Sequence, residues 1–134
     1  MKTKIIKQKA VIPAPPERVY KALMSSKEHT AFTGTEANIK DKAGEKFSTY
    51  DGYVEGKNLK LVKGKKIVQS WKAAENNWPD GHFSEVTFEL KKKGSGTEII
   101  FTHKEVPAEY AKSLSDGWKE YYWEPMTEYF KLKK

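Results

Sequence analysis

The stretch Val106–Lys134, VPAEYAKSLSDGWKEYYWEPMTEYFKLKK, decides how the rest of the chain is read. Leu114, Trp118, Tyr122, Met126 and Tyr129 recur at spacings of three and four, which sets them along one side of a helix. Charged residues fall between them: Lys112, Asp116, Lys119, Glu120, Glu124 and Glu128. Pro107 is expected in the first turn, where its missing N–H costs nothing, so the predicted helix runs from Pro107 to Lys134. Tyr121 and Trp123 widen the apolar face. Pro125 lies inside the pattern, removes one backbone hydrogen bond and should bend the helix. Such a helix needs a broad apolar surface to lie on.

The middle of the chain supplies that surface. From Ala37 to Thr102, turn signals recur at Asp41 to Gly44, Asp51-Gly52, Gly64, Pro79-Asp80-Gly81 and Gly94 to Gly96. Between them lie EANIK, EKFSTY, YVEGKNLKLV, KKIVQSWKAA, HFSEVTFELK and TEIIFTH, read as five or so antiparallel strands. Val86, Phe88 and Leu90 share a side with His82 and Ser84; Ile67, Gln69, Trp71 and Ala73 share a side; so do Ile99, Phe101 and His103. One apolar and one polar face describes a sheet covered on one side only. Residues 3–12 read as a first strand whose mixed pattern leaves its buried face open. Pro15-Pro16-Glu17 begins a helix with Val19, Ala22 and Leu23 on its apolar face. Ser25 or Ser26 caps a second short helix that Gly34 closes. The predicted class is therefore α+β: a sheet of about six antiparallel strands curved around a long C-terminal helix, with two short helices after the first strand. A single domain is expected over residues 1–134.

Composition narrows the function classes. The chain has no cysteine, which excludes disulfides and thiolate chemistry. No stretch approaches the apolar length of a membrane span, and the basic N-terminus lacks the apolar run of a signal peptide, so a cytoplasmic protein is expected. The net charge of +7 invites a nucleic-acid reading, but Arg18 is the only arginine. The lysines are spread along the chain among Glu and Asp, which describes a solvated surface rather than a nucleic-acid patch.

No catalytic residue, metal site or cofactor is expected. The three histidines, His29, His82 and His103, show no i,i+4 spacing and have no cysteine beside them. His82 and His103 fall on the inferred inner face of adjacent strands, either as an acid–base pair in a cavity or as rim residues that meet water. Asp51, Asp80 and Glu85 are the acids nearest the inferred mouth, although Asp51-Gly52 and Asp80-Gly81 are turn chemistry first. No nucleophile elbow surrounds Ser84, and no phosphate loop appears. What remains is the aromatic set: four Trp, seven Tyr and six Phe. Phe83 and Phe88 are candidates within it for core or pocket wall. Trp71, Trp118 and Tyr122 each carry a polar tip that needs a partner when buried, and pocket wall and plain core are both open for them. The candidate ligand-binding set is Phe47, Trp71, Trp118, Tyr122 and Met126 on the wall of a cavity between sheet and helix, with His82 and His103 at its rim.

Several stretches carry a family resemblance. They are IPAPPERVYKALM (Ile12–Met24), FSTYDGYVEGKNLKLVKGKKIVQSW (Phe47–Trp71), WPDGHFSEVTFEL (Trp78–Leu90), GTEIIFTHKEVP (Gly96–Pro107) and DGWKEYYWEPM (Asp116–Met126). In this order they resemble the activators of the heat-shock-protein-ninety ATPase, in their C-terminal-type domain. The resemblance implies the helix-grip fold of the START-like (SRPBCC) superfamily. It also implies two functions: a non-enzymatic domain binding a small apolar or amphipathic ligand, or a stress-response co-chaperone that binds the heat-shock-protein-ninety chaperone and modulates its ATPase. An enzyme of cyclase or hydratase type is a further alternative. A monomer or weak dimer is expected, with no nucleic-acid partner and no membrane span.

Overall fold

The mixed first segment resolves into an edge strand, β1 (Thr3–Ile12), with Ile6 and Ile12 buried and Ile5 and Val11 facing out. A computed structural model describes residues 1–132; the last two residues of the predicted helix lie outside them. After β1 the chain forms α1 (Pro16–Met24) and α2 (Ser26–Thr33). The Ser25 hydroxyl accepts from the Glu28 N–H, and Gly34 ends α2 in the left-handed conformation. Five more strands follow: β2 (Lys46–Thr49), β3 (Val54–Val62), β4 (Lys66–Ala73), β5 (Ser84–Lys93) and β6 (Gly96–Pro107). They form one antiparallel sheet in the order β1-β6-β5-β4-β3-β2. Bulges between Lys4 and Ile6 and between Asn58 and Lys60 interrupt the outer pairings, where an extra residue increases twist and bends the strand.

The segment EANIK is not a strand; only Asn38 bridges to Ser48. Ala37 is buried and Ile39 only partly so, too little apolar surface to hold a further strand on the short β2 edge. The predicted start of the long helix also moves. Pro107 ends β6 opposite Thr3, a tight turn spans Ala108–Tyr110, and α3 occupies Ala111–Trp118. A fixed φ suits a strand end as well as a first helical turn, so proline alone did not separate the two.

The alternation assigns the faces. Val86 opposes His103, Phe88 opposes Phe101 and Leu90 opposes Ile99, all on the concave side. Gly56 belongs to the same layer: a Cβ there would lie 1.8 Å from Ser70 O and 2.9 Å from the Phe47 ring. The absence of a side chain is what lets β3 pass this close and lets Phe47 lie over it.

The C-terminal helix lies on that concave side, with Trp118, Tyr122, Trp123, Met126 and Phe130 buried. It is not one regular rod. A π turn at Lys119–Trp123 separates α3 from α4 (Glu124–Leu132), and the Glu124 N–H reaches back five residues to Lys119 O. Pro125 follows directly. Having no N–H, it cannot make the i+4 bond to Tyr121 O, and the Tyr50 hydroxyl donates to that carbonyl from the β2–β3 turn. The predicted irregularity is present, one turn ahead of the proline. Trp123 joins the core as expected, whereas Tyr121 is 53% exposed.

Candidate functional site

Two places where the helix meets the sheet carry the site residues, and they differ in kind. The first is the interior around His103. This imidazole is fully buried, not at a rim as its strand position suggested. Trp118 Nε1–H donates to His103 Nδ1 at 3.1 Å, which makes Nδ1 the acceptor. Nε2 then carries the proton and donates to Ser84 Oγ at 2.8 Å, and Ser84 donates onward to Trp71 O at 2.7 Å. The chain of donors runs from α3 through β6 and β5 to β4 and uses every polar atom in it. Burial pushes His103 down from 6.5 to about 3. A proton on Nδ1 would also displace the Trp118 bond.

The polar tip of Tyr122 is 3.0 Å from His29 Nε2. His29 is likewise buried and pushed down to about 4 by desolvation. These partners satisfy the tips of Trp118 and Tyr122 inside the core. The space beside them, bounded by Phe47, Thr49, Gln69, Trp71, Trp118 and Tyr122, is about 10 Å³, close to what one water occupies. Phe47 and Met126 are buried in this packing. The interior between sheet and helix is thus filled by side chains.

His82 does not face His103. It lies in the turn before β5, half-buried, with Nε2 2.7 Å from Glu105 O, and its own carbonyl accepts from Trp78 Nε1. The alternation that placed it inside ends at Ser84, where the chain leaves the sheet. Phe83 beside it is exposed, under the Lys72 ammonium at 5.3 Å. Glu85 faces the outside of the sheet and pairs with Lys104 at 3.3 Å.

The second place is the mouth. Between the β2–β3 turn, the end of β4 and the helix lies an open groove of about 650 Å³, within the size range of small-molecule sites. Trp71, Trp118 and Tyr122 reach it from below, with Val54 and Leu114 beside them. Tyr50, Tyr53 and Tyr121 form its walls. Three of the seven predicted ligand residues therefore line this groove; Phe47, His82, His103 and Met126 do not.

The walls are held by strain and by hydrogen bonds. Tyr50 and Asp51 both adopt positive φ, +53° and +56°, which is costly for residues with side chains. The Tyr50 bond to Tyr121 O holds the turn on one side. On the other, Asp51 Oδ1 accepts from the Glu36 N–H at 2.9 Å, and the Asp51 N–H donates to Glu36 O. The Tyr53 hydroxyl donates to Glu75. Burial pushes Tyr50 well above the ordinary tyrosine value, so its hydroxyl stays a donor. The acids at the mouth are Glu75, Asp116 and Glu120, not Asp80 or Glu85. Among the described residues, no group of three His, Asp or Glu could hold a metal ion, and no helix is long and apolar enough to cross a membrane.

The sequence reading has Asp51-Gly52 as a turn, with Tyr50 and Tyr53 as the strand ends on either side, and gives neither tyrosine a part in the site. The signal that was available is the pairing of a Tyr-Asp-Gly-Tyr turn with a proline that frees a carbonyl.

Known proteins resemble this chain over most of its length. The profile described as "Activator of Hsp90 ATPase homolog 1-like protein" matches residues 13–131. The human protein named Activator of 90 kDa heat shock protein ATPase homolog 1 is 32% identical over 115 residues, which is 86% of this chain and 33% of that protein. A Dictyostelium discoideum protein of the corresponding name is 30% identical over 118 residues, covering 87% of this chain and 30% of its own length. The chain thus spans about a third of the length of the curated relatives it matches. Among solved structures, an HSP90 activator from Plasmodium falciparum superimposes with a TM-score of 0.79 at 27% identity, covering 88% of this chain and 89% of that one.

Proposed function

The chain belongs to the Activator of Hsp90 ATPase homolog 1-like family, and from that premise we propose that it is an interaction module that binds an Hsp90-type chaperone and modulates its ATPase. The observation that carries this reading is the 32% identity, over 86% of the chain, with a human protein named for that activity. The filled interior supports it, because a carrier that encloses an apolar cargo needs more than the space of one water.

The surface supports it as well. On the outer face of the sheet Lys104 pairs with Glu85 and Lys72 with Glu55. Among the described residues Lys7, Lys9, Lys57 and Lys66 on the same face have no ion-pair partner. Free lysines on a chain of net charge +7 complement an acidic partner and speed the encounter more than they strengthen the complex.

The test is ATP turnover by a purified Hsp90-type chaperone with and without this chain, beside co-sedimentation at low and physiological salt. Faster turnover and salt-sensitive retention are expected. Unchanged turnover with no retained chain would reject the reading. A second reading is supported by the groove alone: the mouth binds a small apolar or amphipathic molecule, without chemistry on it.

A further inference from the structure

The groove is acidic on a basic protein. Its lining contains Glu75, Asp116 and Glu120 and neither lysine nor arginine, in a chain with 25 basic residues among 134. Asp116 is engaged by Lys112 at 3.0 Å, and Glu75 accepts from Tyr53. Glu120 has no partner among the described residues and leaves one uncompensated carboxylate at the rim. Tyr50, Tyr53 and Tyr121 surround the same space with π faces and phenolic oxygens, both attractive to a cation. Below them Trp71, Trp118 and Leu114 offer apolar contact.

Resting on the second reading above, we propose that this groove selects organic cations: small molecules with an apolar body and an ammonium-type head. The body lies on the Trp71–Trp118–Leu114 floor, and the head sits among the tyrosines beside Glu120. An anionic amphiphile of the same shape is rejected, because its carboxylate would meet Glu120 and Glu75 with no cation to receive it.

The experiment titrates hexyltrimethylammonium, hexanoate and hexanol into the full chain, followed by calorimetry and by tryptophan emission. The expected result is saturable one-to-one binding of the ammonium, ~10-fold tighter than either comparator, with a change in emission from Trp71 and Trp118. The Glu120→Gln variant should weaken ammonium binding several-fold and leave the melting temperature unchanged, since Glu120 is exposed. Hexanol binding as tightly as the ammonium would overturn the selectivity and leave the second reading standing. No binding of any probe would overturn both. Concentration-dependent dimerisation that Glu120→Gln abolishes would also overturn the proposal, because the lysines of a second copy would then be the cation.

Discussion

The same helix meets the same sheet twice, with opposite results. Around His103 the contact is dry and directional: four residues pass a line of donors from Trp118 to Trp71 O, and the remaining space holds about one water. At the mouth, Tyr50 and Tyr121 meet edge to face beside an open 650 Å³. Rings alone do not explain the difference, since both places are rich in them. In the interior the tips of Trp118 and Tyr122 meet partners on regular elements, His103 on β6 and His29 on α2. At the mouth the partners belong to a strained turn and to a helix whose hydrogen-bond ladder is broken, and neither can close over the gap. The closed place supplies stability, and the open one is where a ligand has room.

The largest way to break this contrast is Trp118→Ala. It removes the ring that touches Trp71, Phe101 and Tyr122 and strands His103 Nδ1, so a loss of ~3–5 kcal/mol is expected from the urea midpoint. The mouth should then merge with the interior, and a dye that fluoresces on apolar surfaces should bind.

Acid tests the interior alone. His29 and His103 are both held below 6.5 in the folded chain, so as pH falls the unfolded chain takes up these protons first. Stability from these groups is level above pH 7 and declines as pH drops through 6.5. It levels again below about 4 for His29 and about 3 for His103. Between pH 7 and pH 5 each imidazole should cost about 2 kcal/mol. Chemical denaturation at the two pH values measures it, and His103→Gln should flatten the slope. An unchanged slope in that variant would refute the buried neutral imidazole.

The smallest expected effect is at the mouth. Tyr50→Phe removes the donor to Tyr121 O but leaves a carbonyl that water can reach. About 1 kcal/mol should be lost, with faster hydrogen exchange confined to the β2–β3 turn and the π turn. A loss as large as that of Trp118→Ala would mean that the two regions are one cooperative unit.

The fold was legible because its signals are periodic. Val86, Phe88 and Leu90 alternate, Ser25 and Gly34 bracket α2, and glycines mark the hairpins. The burial of Trp71, Trp118 and Tyr122 was legible for the same reason. The groove was not, because it depends on three segments distant in sequence: the turn at Tyr50, the end of β4 at Glu75 and the helix at Glu120. His82 misled because alternation says which side a residue takes only while the strand lasts. Glu85 was expected near the mouth, but it alternates with buried Ser84 and Val86 and so faces out.

Trp118, Tyr122, Met126 and Phe130 are all buried at a strict interval of four. On an ideal α-helix each such step overshoots a full circle by about 40°, so three steps would carry Phe130 about 120° away from Trp118. The wide turn at Lys119–Trp123 absorbs one surplus residue, about 100° of rotation, and brings the series back into line. A four-residue metre written into a segment with a 3.6-residue beat therefore announces an underwound turn. Here that slip in phase keeps one straight seam of large apolar side chains on a curved floor.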